Sequence, residues 1–137
     1  MKILNLIFLV LLLSFSNNKL FAQKENKEQA IKAVQFETDK IILNNKLAYN
    51  YKKNDNNFSI LDLQNKEIIS GQITSLGDGK FSSIITFTAS GKQFSNEKII
   101  GRNNLIFALA EYNVINEDFT IDEERLSSFI LKYNQLK

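Results

Sequence analysis

The chain has 137 residues, 17 basic and 15 acidic, with neither a histidine nor a cysteine. Those two absences exclude Ser-His-Asp and Cys-His triads, imidazole acid/base catalysis, disulfide cross-links and the usual zinc, copper and haem sites. A cysteine-acylated lipoprotein is excluded for the same reason.

At the start, Met1-Lys2 precedes an apolar block from Ile3 to Leu13 broken only by Asn5, then a polar stretch Ser14 to Lys19 and Leu20-Phe21-Ala22-Gln23. A charged start, a short apolar run and a small residue before a cut predict a secretory signal peptide over 1–22. Leu20 departs from the pattern, being larger than the residue usual two places before Ala22. The apolar run is too short to span a bilayer, which takes about 20 residues, so no stable membrane span is expected after cleavage. The expected destination is the periplasm or the medium.

Cleavage would remove Lys2 and Lys19 and no acid, bringing the 17 basic residues level with the 15 acids. The basicity of the whole chain therefore gives no support to nucleic-acid binding. Charge is uneven along the sequence: residues 23–110 hold 12 bases and 9 acids, residues 111–137 hold 3 and 6. Residues 23–137 are expected to form a single exported α+β domain, large enough to bury a core without disulfides.

Residues 23–29 are polar. Ala30 to Thr38 fits either a helix or a strand, and a strand from Ala33 is favoured because Thr38-Asp39-Lys40 reads as a turn before another β-rich run. That run is Ile41 to Leu43, a tight hairpin or bulge at Asn44-Asn45, and Lys46 to Lys52, with Leu47, Tyr49 and Tyr51 on one face. Lys52 to Asn57 reads as a polar loop. Phe58 to Leu63 and Glu67 to Leu76 read as strands joined by a turn at Asn65-Lys66. Gly71, inside the second of these, signals a bulge or a close approach by another element.

Phe81 to Phe94 reads as the central strand region. Ile85, Phe87 and Ala89 alternate against Thr86 and Thr88, bracketed by Gly77-Asp78-Gly79 and Ser90-Gly91-Lys92. Gln93 to Ile100 supplies a last β-segment. Beyond Gly101 the period changes: Leu105, Ala108, Leu109 and Tyr112 mark a helix capped by Asn103 or Asn104. After a linker over Asn113 to Phe119, Thr120 and Glu123 have the spacing of a capping box, and Leu126, Phe129, Ile130 and Tyr133 form the stripe of a closing helix. The fold class predicted is α+β: an antiparallel meander of six or seven strands followed by two C-terminal helices packed on one face.

Ser95 and Lys98 have the S-x-x-K spacing that lets a lysine activate a serine on a helix, but this segment reads as a strand, where i and i+3 point apart. Glu117, Asp118, Asp122, Glu123 and Glu124 form an acidic cluster that suits helix capping better than a calcium loop or a glycosidase pair. Gly77-Asp78-Gly79-Lys80 lacks the rest of a phosphate loop and reads as a hairpin turn. Tyr49, Tyr51 and Phe58 fall on neighbouring strands. They are the candidate ligand-binding residues if that face is open, and core if a helix covers it. No catalytic or metal-binding set and no cofactor emerges. The leading expectation is a non-catalytic binding module for a protein or cell-envelope partner. The alternatives are a carrier with an apolar pocket between the sheet and the helices at Leu109 and Phe129, and, third, a carboxylate-based hydrolase or calcium-dependent module.

Overall fold

Short alternating segments separated by Asn, Asp and Gly turns produce a meander, because each turn returns the chain beside the strand just made. The computed structural model describes residues 28–136, and the signal peptide expected over 1–22 lies outside them. Seven strands, β1 (Val34–Phe36), β2 (Lys40–Leu43), β3 (Lys46–Asn54), β4 (Asn57–Leu61), β5 (Glu67–Gly77), β6 (Lys80–Phe87) and β7 (Lys92–Phe94), lie side by side in sequence order. All neighbours are antiparallel. Two helices follow, α1 (Arg102–Glu111) and α2 (Glu123–Tyr133), giving the α+β plan read from the sequence. Among the described residues no helix is long and apolar enough to cross a membrane.

The register sorts the side chains into rows. Tyr51, Ile60, Ile69 and Phe87 are successive partners from β3 to β6, and Lys53, Phe58, Gly71, Ile85 and Phe94 form the next row along. Most of these are sealed beneath the helices, with Leu105, Ile106, Leu109, Ala110, Leu126 and Phe129 packed in the same core. Facing the other way, Lys52, Ser59, Ser70, Thr86 and Gln93 line up across five strands. That polar row lets one face of an antiparallel sheet stand in water.

Several boundaries differ from the sequence reading. Lys52 to Asn57 is not a loop: β3 and β4 extend through it, and the reversal shrinks to Asp55-Asn56, with Asp55 at φ 56°. Strand pairing overrides polarity there, because neither face needs burial at the end of a hairpin. The segment from Phe81 to Phe94 divides into β6 and β7 at the turn Thr88–Gly91, which leaves Ala89 exposed, and β6 is the last strand but one rather than central. The final β-segment ends at Phe94, followed by a single bridge between Asn96 and Ile99. Leu47 parts from Tyr49 and Tyr51 because a bulge opposite Ile41/Ile42 adds one residue to β3, turning Leu47 outward while Ala48 and Tyr49 are both buried. A one-residue slip reverses every side chain beyond it.

Helix starts differ too. Gly101, not Asn103 or Asn104, is the N-cap of α1, without a side-chain bond. In α2 the cap is Asp122, whose Oδ1 accepts from the Arg125 amide at 3.1 Å, so the Thr120/Glu123 box does not form. Thr120 is engaged elsewhere: its hydroxyl donates to Asp118 at 2.6 Å, and the Ile115–Ile121 bridge keeps the chain extended as far as Asp122.

Gly71 is explained by Phe58. The Phe58 ring lies over the glycine that faces it across β4 and β5, and a Cβ at position 71 would overlap ring carbons. Since Phe58 is 2% exposed, the ring has nowhere to move. Gly71→Ala is therefore expected to lower stability by about 1 to 3 kcal/mol through overpacking. Combining it with Phe58→Leu should cost less than the two changes summed, a non-additivity measured by urea titration of the double-mutant cycle.

Candidate functional site

Of the three aromatic residues singled out on the sheet, the structure seals two and leaves one at the surface. Tyr49 is 2% exposed, and its hydroxyl donates to the Phe119 carbonyl at 2.6 Å. Burial pushes the Tyr49 phenol far above its ordinary value, with the nearby Asp118 carboxylate adding to the shift. Phe58 is closed in over Gly71. Tyr51 is half-buried, its ring 6.1 Å from that of Phe58.

Beside Tyr51 the sheet carries a concavity of about 260 Å³, lined by Tyr51, Lys53 and Ile73 from the strands and by Gly101, Arg102, Asn103 and Asn104 at the start of α1. Strand β3 places Tyr51 and Lys53 on the same face by simple alternation. Arg102 organises the corner. Its guanidinium carbon lies 4.2 Å from the Tyr51 ring centroid and 4.9 Å from that of Phe36, while Nη1 donates to the Glu37 carbonyl at 2.7 Å and Nε to Asn103 Oδ1 at 2.8 Å. Stacking between two rings uses the faces of the planar cation and leaves its edge for in-plane donors. Burial lowers the guanidinium from its ordinary value and Tyr51 opposes that. The Tyr51 phenol is raised by burial and drawn back by Arg102.

The charged side chains that line the hollow are of one sign. Among the described residues the ion pairs are Lys40 with Asp39 and Arg125 with Asp122, so neither Arg102 nor Lys53 has a carboxylate within pairing distance. The lining contains no acid.

The other sequence candidates lie elsewhere. Asp118 is bound up with Thr120, whose hydroxyl and amide hold its carboxyl below the usual range, and Asp122 caps α2. Among the described residues no group of three or more Asp or Glu side chains is placed to hold a metal ion. Ser95 and Lys98 occupy an irregular turn, where the amide of Lys98 donates to Asn96 Oδ1 at 2.8 Å, and no helix brings the two side chains together. Gly77-Asp78-Gly79 forms the β5–β6 turn with all three residues at positive φ. Leu109 and Phe129 are 0% and 1% exposed in the core.

Arg102 was missed by the sequence reading. A lone arginine beside a glycine carries no motif, and its partners Phe36 and Tyr51 are 66 and 51 residues away in the chain. No protein-family model, curated protein or solved structure matches the chain.

Two substitutions test this description. Arg102→Lys keeps the charge but loses the planar stack and its in-plane bonds, and is expected to cost about 1 to 2 kcal/mol in thermal or urea unfolding. Tyr49→Phe leaves the Phe119 carbonyl without its donor, a loss of about 1 to 2 kcal/mol at neutral pH. Tyr49 also sets a pH dependence. Unfolded tyrosine ionises near pH 10 while the folded phenol keeps its proton, so stability is full below about pH 10 and falls as pH rises beyond it. Unfolding measured across that window should show a shallower alkaline decline in Tyr49→Phe than in the parent protein.

Proposed function

We propose that this chain is a non-catalytic exported binding module whose contact surface is the sheet corner beside Arg102, acting on a protein or cell-envelope partner in the periplasm or outside the cell. The observation that carries this reading is the concavity in which Tyr51, Ile73, Lys53 and Arg102 converge, a partly apolar hollow with fixed polar donors at its rim. Binding sites combine these two elements, apolar area for affinity and a few placed polar groups for orientation.

The ligand-binding role suggested for Tyr49, Tyr51 and Phe58 narrows to Tyr51, because a side chain sealed at 2% exposure does not reach a partner without local unfolding. Position favours this surface reading over the carrier, whose ligand would have to enter between Leu109 and Phe129 where both are packed in the core. A sequence without histidine or cysteine leaves carboxylates as the main acid/base resource. Asp118 and Asp122 among them have structural duties.

A photo-crosslinking residue placed at Phe81, which is 52% exposed, should give a discrete adduct in the protein's native cells. The same residue at Leu131, 88% exposed on α2, should not. Equal yields at the two positions, or none at either, would count against the reading. So would turnover of ester or glycoside substrates by the purified protein that disappears on substitution of a single carboxylate.

A further inference from the structure

The hairpin of β5 and β6 continues the inward face past the helices. Along β6, Phe81, Ser83 and Ile85 alternate onto one side, and their partners Ser75, Ile73 and Gly71 share it. Near the helices this side is sealed, with Ile85 at 0% exposure. Further out it opens: Ile73 forms a wall of the concavity and Phe81 is 52% exposed. Phe81 and Ile73 are thus diagonal apolar neighbours on this side, with Ser75 and Ser83 as their partners, and Ile73 borders a hollow whose charged lining residues, among those described, are the cations Lys53 and Arg102.

The charges select the occupant. Two cations without carboxylate partners, beside the apolar side chains Ile73 and Phe81, complement an anion attached to an apolar group. Arg102 is held rigid by its two aromatic neighbours, and two of its five N–H groups are engaged, at Nε and Nη1. A planar fork fixed in this way matches the geometry of a carboxylate. A hollow of about 260 Å³ fits a side chain rather than a polymer backbone. The balance of 15 bases and 15 acids over residues 23–137 supplies no wider positive field for nucleic acid or an anionic membrane.

We propose that the open corner binds an acidic polypeptide segment, its carboxylate held by Arg102 and Lys53 and a neighbouring apolar side chain laid on Ile73 and Phe81. This rests on the binding-module reading and supplies the chemistry of its partner.

The test is an NMR titration of the whole chain, as recovered from an expressing host, with N-acetyl-Phe-Glu-Phe-amide, its Gln counterpart and inorganic phosphate at matched ionic strength. The Glu peptide is expected to shift the amides of Tyr51, Lys53, Ile73 and Arg102 to Asn104. It should bind about tenfold more tightly than the Gln peptide, the scale of one lost charged hydrogen bond. Lys53→Glu and Phe81→Ser both alter exposed side chains and are expected to weaken Glu-peptide binding while leaving the melting temperature unchanged. Equal responses to the Glu and Gln peptides, shifts confined to other residues, or phosphate matching the Glu peptide would each overturn the proposal. A crosslinked adduct at position 81 alongside a negative titration would discard the acidic chemistry and keep the binding module. Failure of both experiments would discard both.

Discussion

Among the described residues two short helices face a seven-strand sheet that they cannot roof, and much of the described structure follows from that mismatch. Seven strands spaced about 4.8 Å apart make a surface about 29 Å wide. Strand β5, of 11 residues, runs about 36 Å at 3.3 Å per residue. Helices of 10 and 11 residues are only about 15 and 17 Å long. The cover is therefore placed where apolar side chains are densest. At one side α2 sets Phe129 against Phe94 at 5.0 Å, and at the other α1 sets Phe107 edge-on to Phe36 at 5.4 Å. Tyr112 meets Phe129 at 5.4 Å and joins the two helices into one layer. The far end of the β5–β6 hairpin lies beyond that layer, and Phe81 and Leu76 there stand exposed.

Without a disulfide, the ends of the described chain are held by side-chain amides. Asn113, buried at positive φ, accepts from the Ala30 amide at 2.9 Å and donates to the Glu28 carbonyl at 3.2 Å. Asn44 does the same from the β2–β3 turn, accepting from Lys32 at 2.6 Å and donating to the Ala30 carbonyl at 2.9 Å. These bonds seat Ile31 fully in the core. At the other end Asn134 accepts from the Ser95 amide at 2.9 Å, and the Gln135 amide donates to the Ser95 carbonyl at 2.7 Å, so the last residues close over the continuation of β7. Asparagine suits this work because one side chain both donates and accepts, and tolerates left-handed backbone.

Arg102 serves structure and site together. By lying between Phe36 of β1 and Tyr51 of β3 it ties the start of α1 to the sheet, and by doing so it fixes a cation at the edge of the uncovered corner. A lysine there would bring the charge without the rigidity, since its ammonium is a point on a flexible stem.

Local pattern alone narrowed the sheet to six or seven antiparallel strands, placed the two closing helices after them, and put chain reversals at Gly77-Asp78-Gly79 and, as a hairpin or a bulge, at Asn44-Asn45. Each of these is written in local periodicity or in residues that accept positive φ. It marked Gly71 as either a bulge or a close approach, and the second holds only because the Phe58 ring lies over it once β4 and β5 are paired. Which side chains of β3 are core and which face solvent emerged from long-range packing: a single bulge turns Leu47 outward, and a carbonyl of a distant loop captures Tyr49. It alone revealed Arg102, because a stack built from residues 36, 51 and 102 depends on contacts between chain segments that no local pattern records.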